Sequence, residues 1–450
     1  MLLFPKESTL SHTARSIDSA AITDEQVADD QAPDDQALLA RFTPVFQRIA
    51  EGALARERAG QHPTEAVQWL RESGFTAVRV PRALGGGGAS LRQLHLLLIA
   101  LAAADSNLSH ALRVHFRFTE GHWSQRDLPE SQKWLRRIAD GAVIGAGNAE
   151  RTGEHGKFAT NIRRQGDGYV LNGQKYYTTG SLYADYVSVS VTTENGELAT
   201  VVVGTRAPGV EVVDDWVGFG QKGSGSGTTV FRDTPVDAAN VAPPVGGSGA
   251  RWAHVQLSHL ATTAGIVRRA TDEITDFVKQ RARTYRQASA AIAKDDPLIQ
   301  AVVGRADATA YALQAIVLQA AATLDDVANA QWALRVGPPA ARTEAALAAL
   351  KERDIEAGLD TYRAQAVVFE LALKTTTEIF EVGGSSAVDR NRHLDRHWRN
   401  VRTLASHNPL IYRHRQLGEN RLNGNPPYNF LSNTQTAALG GESEDAALGV

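Results

Sequence analysis

Leu394 to Pro409 reads LDRHWRNVRTLASHNP. Three arginines, two histidines, a tryptophan and two asparagines fall within sixteen residues, and Asp395 is the only acid among them. A core helix wants an apolar stripe at helical spacing. This run offers cationic donors instead, so it is expected to wall something anionic or electron-rich, with His407 near its end. An imidazole placed there can hold or deliver a proton near neutral pH. No carboxylate lies between Asp395 and Glu419, so that stretch has no carboxylate base.

Other chemistry-bearing residues are weighed the same way. His393 and His397 stand four apart, on one helical face, but the residues between them are Leu-Asp-Arg and arginines crowd the run. A zinc helix of the HExxH kind carries glutamate in its second position, so no metal is expected and Asp395 should pair with a neighbouring arginine. Asp214 and Asp215 are adjacent; in a strand they point to opposite faces and make a poor acid/base pair. GSGSGTT, Gly223 to Thr229, is a small-residue run entering a strand. Its backbone can approach a ligand closely, and Ser226 or Thr228 could bond a phosphate or the substrate. No Gly-Lys-Ser/Thr follows, so it is not a Walker loop. Trp216 is a candidate aromatic wall. The absence of cysteine removes disulfides, thiolate nucleophiles and Cys-based metal sites.

These residues need elements to hold them. The chain has 450 residues, 43% apolar, 22% charged, with a net charge of -3. That supports a large core in two or three packed parts and disfavours nucleic acid as partner. No apolar run is read as approaching the eighteen residues of a membrane helix. The start, MLLFPKESTL, has no signal-peptide pattern, so a cytoplasmic protein is expected. Residues 1–36 are polar and acidic and are expected to be a disordered leader. Residues 37–142 carry apolar residues at three- and four-residue spacing, the helical period. Residues 143–245 hold short alternating, β-branched runs such as YVLNGQKYYTTG and YADYVSVSVTT, broken by Asn-Gly and Pro-Gly turns, and should form a β domain. Residues 246–430 return to long helices, and 431–450 look like a loose tail.

Helices, strands, helices, with GFTAVRVPRALGGGG, LNGQKYYTTG and IFEVGGSSA in that order, resemble the acyl-CoA dehydrogenase fold family from about Gln36 to Asn429. The resemblance implies an α+β fold: an N-terminal helical domain, a middle β-sandwich or barrel, and a C-terminal four-helix bundle. Family dehydrogenases use a late glutamate as base; here that region reads RTLASHNPLIY. DRHWRNVRTLASHNP, AADSNLSHALRVHF and DDWVGFGQKGSGSGTTVF instead resemble the flavin-dependent monooxygenase branch, the dibenzothiophene monooxygenases and sulfur-acquisition oxidoreductases.

That branch implies reduced FMN from a separate NAD(P)H-dependent flavin reductase, oxygen activated at flavin C4a, and a small substrate, with sulfur favoured over amine nitrogen or aromatic carbon. By resemblance, His407 and His115 face the flavin and handle its proton. Thr179 hydrogen-bonds N5, Thr178 and Tyr177 line the same wall, and Asn148 meets the pyrimidine edge or bound oxygen. Ser226 and Trp216 complete the cofactor side. Arg283, or Arg281 two positions away, reaches the phosphate of a neighbouring subunit's flavin, with Phe380, Gly383 and Gly384, in a homotetramer. The alternatives are an FAD-dependent acyl-CoA dehydrogenase and a non-enzymatic flavin-binding protein.

Overall fold

A computed structural model describes residues 33–151, 158–242 and 249–426. The expected tail and nearly all of the expected leader lie outside the described residues, as does most of the Pro/Gly link after Ala242.

The N-terminal helices are α1 (Asp35–Ala59), α2 (Thr64–Glu72), α3 (Leu91–Ala104), α4 (Ser106–Ala111), α5 (Arg113–Trp123) and α6 (Pro129–Ala139). Local chemistry sets their ends. Asp34 caps α1 by accepting the Ala37 N–H, and Gly60 ends it in the left-handed region. Ser90 and Gln93 form a reciprocal capping box on α3. Leu112, itself in right-handed helical geometry, joins α4 to α5 almost without a break. His110, Arg113 and Arg117 therefore follow one another along a nearly continuous helical face.

The sheet holds β1 (Ile144–Gly147), β2 (Asn161–Gln165), β3 (Gly168–Lys175), β4 (Tyr186–Thr193), β5 (Leu198–Gly204), β6 (Val210–Val213), β7 (Thr228–Val236) and β8 (Val241–Ala242). Its order is β6-β7-β3-β2-β4-β5-β8, with β1 parallel to β4. The alternating valines of β4 and β5, with Ile162, Leu171 and Phe231, form its own core. Period-2 alternation thus yields a sheet with one buried face.

Three long helices follow: α7 (Gly249–Gln280), α8 (Pro297–Val336) and α9 (Glu344–Glu378), then α10 (Asp395–Ala405) and α11 (Leu410–Asn423). The long three pack on one another, and α3 lies along α7 and α8. One continuous core runs from Phe42, Phe75 and Phe116 to Leu257, Val317 and Phe369, so the first and last helical segments are joined through it. By length and composition α8 is apolar enough to cross a membrane. This corrects the expectation that no run approached that limit. Here α8 lies in the bundle, against α3, α7 and α9.

Candidate active site

The loop from β6 to β7 is where the three parts meet. Asp215 ties its base by accepting the Thr228 N–H and the Thr228 hydroxyl, both at 2.7 Å. Asp214 instead meets His62 Nε2 at 2.7 Å, so the two acids serve separate partners. A Cβ at Gly220 would collide with the Arg399 carbonyl and one at Gly227 with the Val213 carbonyl; only glycine lets α10 and β6 close on the loop. Gln221, held at φ +52°, is fully buried. Its N–H donates to Asn400 Oδ1 on α10 (2.7 Å) and its Nε2 to Ser106 Oγ on α4 (3.1 Å).

Beside this loop runs a ladder of buried hydroxyls. Thr178 donates from both its N–H and Oγ1 to the Gly227 carbonyl. Thr179 Oγ1 lies 2.9 Å from Ser226 Oγ, which lies 2.7 Å from Ser224 Oγ. Just outside it, Tyr177, at φ +59° and half exposed, packs edge-on against Tyr176 (4.6 Å) and Trp216 (5.9 Å). Trp216 is fixed by donating Nε1–H to the Gly220 carbonyl. The Ala149–Tyr176 bridge brings Asn148 to the same strand end; Asn148 is exposed, and its Oδ1 accepts the Ser190 hydroxyl. Glu150 steadies this exit by accepting from Lys175 Nζ and Thr160 Oγ1, both at 2.7 Å.

Three imidazoles form a row behind Gln221, with His110 and His259 buried and His407 exposed. The His110 ring lies 5.2 Å from that of His259, which lies 4.4 Å from that of His407. With Gln221 Nε2 on Ser106, Gln221 Oε1 accepts His110 Nδ1–H at 3.2 Å, which leaves His110 Nε2 a bare acceptor. Asn408 Nδ2 donates to His407 Nδ1 at 3.2 Å, which puts the His407 proton on Nε2. Both His259 nitrogens are buried without a partner among the described residues. Burial, then the charges of Arg113 and neighbouring rings, holds His110 well below the usual imidazole value, and burial does the same to His259, where His407 and then Arg113 add to it. His407 is pushed down by dehydration first, then by Arg113 and Arg413, although the residue itself is exposed.

His115 does not join them. Its Nδ1 accepts the Ile144 N–H (3.3 Å) and its Nε2–H donates to the Thr76 carbonyl (2.7 Å). It is wholly buried, and burial lowers its pKa to about 4. Five residues separate it from His110, which turns the two rings to different faces. The expected pairing of His115 with His407 is thus replaced by His110, His259 and His407. The segment SNLSHALRVHF contained both candidates; helical phase against α7 distinguishes them, and the sequence alone does not supply that phase.

The arginine-rich run is α10. Arg396 and His397 both bind Glu273 of α7, His397 Nε2 at 2.9 Å. Arg399 pairs with Asp395 (2.8 Å) and Glu57 (3.1 Å). The wall's anions are therefore largely carboxylates of its own chain. At the far end of α7, Arg281 donates to the Val382 and Arg283 carbonyls, while the exposed Arg283 guanidinium has no partner among the described residues. Phe380 and Phe277 pack against the same buried cluster; Gly383 abuts Phe277 and Gly384 abuts Tyr285. Eighteen helical residues separate His259 from Phe277, roughly 27 Å, so one chain does not bring this cradle to its own imidazoles.

Profiles of the N-terminal, middle and C-terminal domains of acyl-CoA dehydrogenase match residues 34–142, 152–234 and 257–410 in that order, together well over half of the chain. The chain belongs to the acyl-CoA dehydrogenase family. Within that family it is 26% identical to a protein named probable FMNH2-dependent monooxygenase SfnC of Pseudomonas putida, over 84% of this chain and 93% of that one. It is 27% identical to dibenzothiophene monooxygenase of Mycolicibacterium goodii, over 83% and 90%. FMN-bound TdsC of Paenibacillus sp. superposes with a TM-score of 0.77 at 23% identity, over 87% of this chain and 98% of that one, which establishes the shared fold. The residues present suit a flavin. The Tyr177–Trp216 pair offers aromatic faces, the hydroxyl ladder offers polar edges, and no carboxylate hydrogen-bonds His110, His259 or His407 among the described residues.

Proposed function

We propose that this family member is a two-component monooxygenase: substrate, O2 and reduced FMN give the oxygenated substrate, FMN and water. The observation that carries this reading is the replacement of a carboxylate base by the His110–His259–His407 row. Both relatives named above by sequence carry monooxygenase names, one of them FMNH2-dependent. Reduced FMN supplies two electrons and the carbon at which oxygen is activated; a separate NAD(P)H-dependent flavin reductase delivers it. The favoured substrate is a small sulfur compound.

The chain's own residues bind, orient and handle protons. Thr179 and Ser226 present the polar edge, with Thr178 fixing the backbone beneath them. Tyr177 and Trp216 wall the ring system, and Asn148 keeps a free amide N–H for its rim. His407 Nε2–H is a donor and His110 Nε2 an acceptor, so the pair is preset to give one proton and take another, with neutral His259 between. The second imidazole role passes from His115 to His110. Arg283 would meet the phosphate of a neighbouring subunit's cofactor in a homotetramer, and we place the protein in the cytoplasm.

Oxygen uptake and hydrogen peroxide release, measured with enzymatically reduced FMN and an alkyl or aryl sulfide, test the assignment. Wild type should form sulfoxide with little free peroxide. His407→Ala and His110→Ala should each divert most oxygen to peroxide, with coupled turnover falling about 10²–10⁴-fold. Bleaching of bound flavin by an acyl thioester, with no oxygenated product from any candidate, would sink the proposal in favour of a dehydrogenase.

A further inference from the structure

Arg113 is 7% exposed, and its buried Nε has no hydrogen-bond partner among the described residues. No carboxylate pairs with its guanidinium among the described residues. Four other buried or nearly buried arginines differ: Arg56 meets Asp105, Arg79 meets Glu120, Arg396 meets Glu273 and Arg399 meets Glu57. Leaving one guanidinium dehydrated and unpaired is strongly unfavourable. Burial, followed by the like charge of Arg117, pushes its pKa down to about 10, so it still carries its charge at neutral pH.

Apart from Arg117, whose like charge reaches it, Arg113 has a set of donor-bearing imidazoles around it. It lies three residues after His110 on the nearly continuous α4–α5 face, and its charge is felt by His110, His254, His259 and His407. Burial keeps His110, His254 and His259 uncharged, so none of them competes with Arg113 for an anion. Each neutral ring still carries one N–H, and those of His254 and His259 are unused. A planar guanidinium flanked by unused N–H donors is a receptor for an oxyanion. Hydrogen bonds within the row leave the His407 Nε2–H free as well.

We infer that Arg113, with His259 beside it, is the binding site for the charged head of an anionic substrate, an organic molecule ending in a carboxylate, sulfinate or sulfonate group. The head would lie against Arg113, and the rest of the molecule would extend toward His407, which is exposed. This deepens the monooxygenase reading and rests on it for the word substrate, but the anion site itself needs neither flavin nor oxygen. It also sets this chain apart from an enzyme built for a neutral aromatic sulfur heterocycle, which would leave the buried cation uncompensated.

The test is calorimetric titration of the full chain, without flavin, with benzenesulfonate, benzoate and the neutral methyl phenyl sulfone. Wild type should bind both anions at least tenfold more tightly than the sulfone, as a charge-assisted contact requires. Arg113→Met should lose that preference while sulfone binding stays put, and Arg113→Lys should keep part of it. Circular dichroism melting identifies any variant that fails to fold; Arg113→Lys then carries the comparison. Benzenesulfonate against benzoate tells whether a tetrahedral or a planar head is preferred. Equal affinity for anions and sulfone in wild type, or an anion preference that survives Arg113→Met, overturns the inference. Peroxide release with reduced FMN on the same samples keeps the two readings apart: anion binding without oxygen chemistry would sink the monooxygenase assignment and leave the anion site standing.

Discussion

His115 and His407 are both histidines in polar surroundings, yet their hydrogen bonds assign them different work. His115 joins the Thr76 carbonyl to the Ile144 N–H, and so ties the turn after α2 to the first strand of the sheet. His115→Ala leaves both backbone groups buried and unpaired, each costing about 1–3 kcal/mol. A melting temperature lowered by several degrees, with the ratio of peroxide to oxygenated product unchanged, is expected. A normal melting temperature with released peroxide would return His115 to the proton-handling role. Arg281 and Arg283 separate in the same way. Arg281→Ala removes two bonds to backbone carbonyls and should loosen the chain locally. Arg283→Ala should leave melting unchanged and weaken FMN binding about tenfold or more, as flavin fluorescence quenching would record. An unaltered FMN dissociation constant would move the phosphate contact elsewhere.

At the scale of elements, α10 positions the site through one carboxylate. Burial alone would raise the Glu273 pKa, but the bonds from His397 and Arg396 outweigh it and keep the carboxylate ionised well below the ordinary range. Glu273 clamps α10 to α7. Asn400 then meets Gln221, and Gln221 orients His110; His407 follows directly beyond the helix. Glu273→Gln keeps the shape and removes the charge, which leaves Arg396 buried without its counterion at a cost of about 3 kcal/mol. We expect a lower urea midpoint together with increased free peroxide, because α10 carries the imidazole geometry. A variant as stable as wild type would show that apolar packing of Val401 and Leu404 holds the helix unaided.

Across the whole molecule, burial of imidazoles makes stability depend on acid. The pKa values of His95 and His115 are lowered to about 4, in both cases by burial, against 6.5 for the free side chain. His110, His254 and His259 are likewise held well below the free value by burial. Each such group takes up a proton on unfolding between the two values, so stability rises with pH across that window. The contribution is complete above about pH 6.5 and is lost as pH falls toward 4. Melting temperatures should therefore drop between pH 7 and pH 5.5, above the range in which carboxylates titrate, and His115→Gln should flatten the drop. A melting temperature constant from pH 7 to 5.5 would show that these rings are hydrated.

Composition and periodicity determined the block order of helices, strands and helices, because each pattern is local and has one packing solution: period 3.6 for a helix, period 2 for a sheet strand. The family resemblance named Thr178, Thr179, Trp216 and Ser226, and the structure brings them together because they lie in two adjoining strand-and-loop segments. Local signals marked His407 as chemically exceptional and paired Asp395 with a nearby arginine. Tertiary structure alone decided which histidine of SNLSHALRVHF joins the row through His259 to His407. It also decided that Glu273, more than a hundred residues upstream, neutralises the arginine-rich helix, and that Arg113 has no such partner. Helical phase and long-range charge pairing depend on how α4, α7 and α10 pack together. A linear pattern lists donors and acceptors, but only the packed chain shows which are already bonded to each other and which remain available to a ligand.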